Sequence, residues 1–232
     1  VPGQRKLVET PCPLCRFPRL VRLFDGEAGV RCPKCLAGVT HLSVGLAVET
    51  HVDDLAHAAC YELSAKGPLF RFLSQHCASV TGSEFWPDVP PGEWRNQVQC
   101  QDVEQLNYPD ACFDLVTSTE VFEHVPNDAK GFREVHRVLT PGGAFVFSVP
   151  LLLDHDTIER ARLVDGKIEH LTEPEYHDDR IRGKGRVLAF RTYGVDIVER
   201  LRAAGFRDAL IDTVSVSRFD GDGRAVVVAM RG

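Results

Sequence analysis

Residues 113–149 constrain the fold more than any other stretch of the chain. Phe113-Asp114-Leu115-Val116-Thr117-Ser118 is a short apolar run between polar residues, the pattern of a strand buried on both faces of a parallel sheet. Phe132, Val135, Val138 and Leu139 recur at three- and four-residue spacing, which predicts a helix with one apolar stripe. Pro141 stops a helix and Gly142-Gly143 accept positive φ, so a tight turn should lead into a second buried strand, 144–149. Strand, helix and strand in that order form a βαβ unit of a three-layer α/β fold.

At 232 residues there is room for one ordinary domain and a small appendage. No eighteen-residue apolar run occurs, and Val1 to Thr10 hold Arg5 and Lys6 without an apolar stretch. The expectation is therefore a cytoplasmic protein with no membrane partner. Charge is unevenly placed. Residues 1–40 carry seven Lys and Arg against three acids, so the net charge of -6 leaves an acidic remainder. A broad phosphate-binding face needs clustered Lys and Arg, which argues against nucleic acid as the main domain's partner and leaves only the basic N-terminal part to meet an anion.

That N-terminal part has the most specific local signal. Cys12-Pro-Leu-Cys15 and Cys32-Pro-Lys-Cys35 are two Cys-x-x-Cys pairs, each able to turn two thiolates toward one point and together able to complete the tetrahedral sulfur shell of Zn²⁺. Disulfides are the alternative, disfavoured in a cytoplasmic setting. Phe17, Leu20, Val21, Leu23 and Val30, with a turn at Asp25-Gly26, suggest a short hairpin between the pairs. A four-thiolate site has no open position, so the zinc would be structural, holding a zinc-ribbon module over residues 1–43 ahead of a main domain over 44–232. Cys60, Cys77, Cys100 and Cys112 lie in apolar surroundings at irregular spacing and read as buried hydrophobes without chemistry.

In the main domain, 44–59 reads as a connecting segment and early helix, and 58–63 as a first strand ending at Glu62. Ser64-Ala65-Lys66-Gly67 is a small-residue turn, and Pro68 opens a helix. A second strand, 78–84, ends at Glu84, and a third, 97–102, ends at Asp102. The crevice outside such strand ends is the usual cofactor position in a doubly wound sheet. Farther on, 193–206 reads as an amphipathic helix closed by Gly205, followed by strands 209–216 and 225–230 with a turn at 220–223.

Taken with Glu120-Val121-Phe122-Glu123-His124-Val125 and Arg137-Val138-Leu139-Thr140-Pro141-Gly142-Gly143, this order of strand-end acids resembles the class I S-adenosylmethionine-dependent methyltransferases. The resemblance covers about residues 55–150 well and implies a doubly wound, Rossmann-like seven-stranded sheet. It implies S-adenosylmethionine held by Glu62, Ser64, Gly67, Glu84, Asp102, Val103 and Thr119. In that family the acid matching Glu84 accepts the ribose hydroxyls and the acid matching Asp102 accepts the adenine amine, with the Val103 amide beside the ring. The family's loop has a Gly-x-Gly-x-Gly pattern, whereas here Ser64 stands at the first glycine and only Gly67 remains.

The segment 151–191 interrupts the domain where such enzymes insert substrate-recognition elements, and it is dense in titratable groups. Within it, 161–164, Asp165-Gly166 and 167–170 have the form of a hairpin with a primed turn, a candidate flap. His155 or His177 is the candidate general base and Tyr176 a positioning residue. Glu120, Glu123 and His124, at i, i+3 and i+4, are expected on one helix face. Glu-x-x-Glu-His here is similar to the metal motif of ubiquinone-biosynthesis O-methyltransferases and small-RNA 2′-O-methyltransferases, making His124 a further catalytic candidate. The leading expectation is methyl transfer to oxygen or nitrogen of a small polar or glycan-like acceptor. The alternatives are an RNA acceptor bound through the basic ribbon, or a non-catalytic binding protein that kept the fold.

Overall fold

The computed structural model describes residues 6–24, 29–178, 185–219, 221 and 223–232. The expected turn at Asp25-Gly26, the tail of the insertion at Asp179, Arg180 and Arg182, and parts of the 220–223 turn lie outside the described residues.

β1 (Lys6–Val8), β2 (Leu20–Arg22) and β3 (Val30–Arg31) form a small antiparallel sheet, Val8 pairing with Leu20 and Arg22 with Val30. α1 (Val39–His51) follows, starting before the expected boundary at residue 43, so the helix runs across the division between the two expected units. The N-terminal module is not a detached bead. Leu14, Leu20, Val30 and Cys32 share one apolar cluster with Val44 and Val48 of α1 and with Leu115 and Val146 of the central sheet. Contact is close enough that a Cβ on Gly45 would fall on the Leu14 side chain, so α1 carries glycine where the module rests. Full burial of Leu20 and Leu42 stabilises this junction by about 1.5–3 kcal/mol per side chain.

The main sheet follows. β4 (Ala59–Glu62) leads through the 64–67 loop into α2 (Pro68–His76), with proline in its first turn, and then β5 (Ser79–Glu84). β6 (Trp94–Arg95), β7 (Val98–Cys100) and β8 (Phe113–Thr119) precede α3 (Asp128–Val138), whose N-cap Asn127 side chain accepts from the Lys130 amide. β9 (Leu139–Ser148) runs parallel to β8. The insertion holds β10 (Ile158–Glu159), β11 (Ala161–Val164), β12 (Lys167–His170), β13 (Glu175–Asp178), β14 (Arg186–Ala189) and β15 (Arg191–Thr192). α4 (Ile197–Ala203), β16 (Asp208–Asp212), α5 (Val214–Arg218) and β17 (Val226–Met230) complete the chain.

The sheet order is β16-β17-β9-β8-β4-β5-β7-β6. β4, β5, β7, β8 and β9 are parallel, and the seven expected strands are joined by an eighth, the two-residue edge strand β6. Alternation along the strands divides the core in two. Cys60, Leu115, Val146 and Val228 face α1, α2 and the N-terminal module, while Tyr61, Val116, Phe145, Phe147 and Val227 face α3 and α4.

Three expectations need correction. Leu139 does not continue the helical stripe but opens β9 opposite Phe113, and 140–143 form an irregularity within the strand, because the next paired residues are Leu115 and Ala144. Gly142, at φ 83, and the Thr140 hydroxyl donating to Asp114 Oδ1 at 2.8 Å hold that detour. The strand expected over 209–216 stops at Asp212, whose Oδ1 accepts the Val214 amide at 2.7 Å and turns the chain into α5. The early helix begins at Val39 rather than within 44–59. The 161–170 hairpin is present, with Asp165 at φ 49 and Gly166 at φ 75 in its two-residue turn.

Candidate functional site

Among the described residues, two clusters of potential metal ligands and one row of carboxylates are candidates for chemistry. In the N-terminal cluster each Cys-x-x-Cys pair is wound by the same backbone bonds. The Arg16 amide donates to Cys12 O and the Leu36 amide to Cys32 O, at 2.9 and 3.0 Å. The residue after each second cysteine sits in the left-handed region, Arg16 at φ 58 and Leu36 at φ 64. Two turns of one geometry therefore face each other. The four Sγ atoms lie within 4.8 Å of one another, with Cys12 to Cys35 at 3.7 Å and Cys15 to Cys32 at 3.5 Å. Tetrahedral Zn–S bonds of about 2.3 Å require sulfur separations of roughly 3.8 Å, so the donor set fits that ion.

The carboxylate row lies at the C-terminal ends of the neighbouring strands β4, β5 and β7, where a doubly wound sheet binds ligands. Glu62 is buried, and its Oε2 accepts from the buried Thr117 hydroxyl of β8. Burial, more than the neighbouring Glu84, pushes its carboxyl up to about 8, against the lowering effect of the Thr117 bond. Glu84 Oε1 accepts from the Ser64 hydroxyl at 3.3 Å and the Ala65 amide at 3.2 Å, which ties the loop to β5. A Cβ on Gly82 would meet Ala65 Cα at 2.8 Å, so the loop lies directly on that strand. Ser64 thus takes up a structural bond where the family pattern has glycine. Gly67 caps α2 at φ 105. Asp102 is half-buried and accepts the Glu104 amide at 2.9 Å, Val103 turns into the core, and Thr119 ends β8. A separate cavity of about 470 Å³ opens at the other end of the sheet, lined by His51, Asp54, Asp114, Thr140 and Met230 among others, away from these acids.

The third group is Glu123, His124 and His177, whose ligand atoms lie within 4.8 Å of one another. Glu120 is not among them. It sits at φ 53 just past β8, accepting from the Ser148 hydroxyl at 2.9 Å, and the segment after it is a 3-10 turn over Phe122–His124, with α3 starting only at Asp128. The expected three-residue helix face is therefore absent, and His177 on β13 takes the third place. Glu123 is wholly buried, and among the described residues neither carboxylate oxygen has a hydrogen bond, since His177 Nδ1 at 3.6 Å is an ion-pair neighbour only. Burial pushes its carboxyl up to about 7. His177 is pushed up to about 9, chiefly by Glu123, with Glu175 Oε1 3.1 Å from its Nε2. His124 Nδ1 lies 2.9 Å from Leu188 O; donation there turns Nε2 toward Glu123, at 3.7 Å. A buried carboxylate and two imidazoles are a donor set for a divalent transition metal.

The other two candidates are placed apart from this group. His155 is exposed and paired with Asp154 at 2.7 Å. Tyr176 is exposed on β13, where alternation turns it to the opposite side from His177, and the Arg186 guanidinium lies 5.8 Å from its ring. Sequence reasoning missed Arg191, which is buried. It donates to Val125 O at 2.6 Å, Pro126 O at 2.9 Å and Phe122 O at 3.3 Å, and its Nε donates to Glu159 Oε2 at 3.2 Å. With the Phe190 amide donating to Glu123 O at 2.7 Å, it fixes the turn that carries Glu123 and His124. A single charge inside the otherwise uncharged run 187–195 was the available signal.

Comparison with known proteins bears on this geometry. Residues 64–147 match the methyltransferase domain family. An S-adenosylmethionine-dependent methyltransferase from Mesorhizobium loti superposes with a TM-score of 0.50 at 20% identity, over 82% of this chain and 98% of that one. The fold is the Rossmann-like methyltransferase fold. Among curated proteins, a ubiquinone biosynthesis O-methyltransferase of Coxiella burnetii is 36% identical over 90 residues, 35% of this chain and 38% of that protein. A sarcosine/dimethylglycine N-methyltransferase of Halorhodospira halochloris is 43% identical over 51 residues, 22% and 18% of the two chains. The chain thus spans well under half the length of the curated relatives it matches. Among the described residues, no helix is long and apolar enough to cross a membrane.

Proposed function

We propose that this chain is an S-adenosylmethionine-dependent methyltransferase acting on oxygen or nitrogen of a small polar or glycan-like acceptor, with a structural zinc held by Cys12, Cys15, Cys32 and Cys35. The observation that carries the reading is the row Glu62, Glu84 and Asp102 at the ends of the adjacent strands β4, β5 and β7. The cofactor, when bound, supplies an electrophilic methyl group on a sulfonium. Glu62 would face its cationic end, Glu84 its ribose hydroxyls and Asp102 its adenine amine. The match over residues 64–147 spans all but the first of these acids and supports the same assignment.

Beside the row, Glu123, His124 and His177 prepare the acceptor. A divalent cation there would lower the pKa of an acceptor hydroxyl as a Lewis acid, and Glu123 and the two imidazoles are the residues that would hold it. The chain's contribution to this step is orientation. Arg191 and the Leu188 carbonyl hold Glu123 and His124 in place, and the insertion carries His177 to them. Relatives that methylate oxygen and nitrogen are both among the matches, in keeping with an acceptor defined by the insertion rather than by the sheet. The acidic main domain weighs against RNA as the acceptor. A screen of hydroxylated and amine acceptors with labelled S-adenosylmethionine tests the proposal. Transfer that is reduced by Asp102→Ala and by Glu123→Gln supports it, and lack of cofactor binding by zinc-loaded protein overturns it.

A further inference from the structure

The four cysteines outside the N-terminal cluster read as inert hydrophobes from sequence, but the fold brings two of them together. Cys60 of β4 is buried, Cys77 just after α2 is half-buried, and their Sγ atoms lie 2.8 Å apart. That is closer than the 3.5 and 3.7 Å between the thiols of the metal-type cluster. Both positions are fixed by backbone. Cys77 N donates to Leu73 O at 2.8 Å and Ala78 N to Ala58 O at 3.1 Å, and Cys60 pairs in register with Val80. A disulfide, with a sulfur separation of about 2.05 Å, needs only a small side-chain approach and no hinge.

We propose that Cys60 and Cys77 form a reversible dithiol–disulfide couple, oxidised by a low-molecular-weight disulfide. Cys77 is the entry point because it is the more exposed residue of the pair, and the hydrogen bond from Cys60 lowers its pKa. Its thiolate attacks one sulfur of oxidised glutathione and expels one glutathione thiolate, leaving a mixed disulfide. The Cys60 sulfur, giving up its proton, then attacks the Cys77 sulfur and expels the second. Two protein thiols lose two electrons, the reagent gains them as two thiols, and both protons end on glutathione. The bond would close a loop over residues 60–77, which contains Glu62 and the 64–67 turn. The chemistry stands whichever ligand that turn holds.

The test treats the zinc-loaded full chain with oxidised glutathione, alkylates it under denaturing conditions and maps the peptides. The expected result is a Cys60–Cys77 linked peptide, two fewer alkylated thiols, full reversal by dithiothreitol and a raised thermal midpoint. Cys77→Ser and Cys60→Ala should each abolish the link. Alkylation of both cysteines after oxidation, or a mixed disulfide on Cys77 with Cys60 still free, overturns the proposal. Should a variant fail to fold, the wild-type peptide map alone decides.

Discussion

Glu62→Gln is the most informative perturbation of the proposed cofactor-binding row. In the free protein the Glu62 carboxyl is pushed up to about 8 by burial, so at pH 7 most of the molecules carry it protonated. A bound sulfonium and ammonium favour the carboxylate. Binding of S-adenosylmethionine at pH 7 should therefore release most of one proton, and affinity should rise between pH 6 and pH 8 by on the order of tens-fold, about 2 kcal/mol. The number of protons follows from calorimetric titrations in buffers of different ionisation enthalpy. Glu62→Gln keeps the shape, removes the proton, and should bring that number to zero and flatten the pH profile. Stability offers a second check of the same sign. A carboxyl whose folded pKa is raised contributes most below its ordinary value of 4.5, and the contribution is lost at about 1.4 kcal/mol per pH unit up to about pH 8. Wild type should lose stability over that window relative to the Gln variant. Wild-type binding at pH 7 without proton release would refute the reasoning.

Other perturbations read other parts of the structure. Stripping the metal with a strong chelator should lower the thermal midpoint of the whole chain in one transition, because Leu14, Leu20 and Cys32 share a core with Leu115 and Val146. Calorimetry showing an unchanged main transition would contradict this. Glu123→Gln and His177→Ala should each reduce turnover by about 100-fold or more while leaving calorimetric cofactor affinity intact. Arg191→Met removes the donor from three loop carbonyls and the partner of Asp128 and Glu159, and should cost about 3–5 kcal/mol in denaturant unfolding.

Local signals proved readable where structure is local. The Asp165-Gly166 hairpin follows from two positive-φ positions between short strands, and each Cys-x-x-Cys turn is closed within six residues. The strand-end acids were legible because an apolar run ending in a carboxylate needs no distant partner to be recognised. What failed depended on contacts distant in sequence. Leu139 has the spacing of a helix residue, yet pairing with Phe113 places it in β9. Glu120 has helical spacing to Glu123, yet the Ser148 bond and a left-handed backbone take it elsewhere. His177 meets Glu123 across 54 residues of chain, and Cys60 meets Cys77 across the 64–67 loop and α2. Neither meeting is written in spacing.

The central claim is that the ends of β4, β5 and β7 hold S-adenosylmethionine. Calorimetric titration of zinc-loaded protein with S-adenosylmethionine, repeated on Asp102→Ala, tests it most directly. The account predicts saturable binding by the wild type that the substitution weakens, and no detectable binding by well-folded wild-type protein would contradict it.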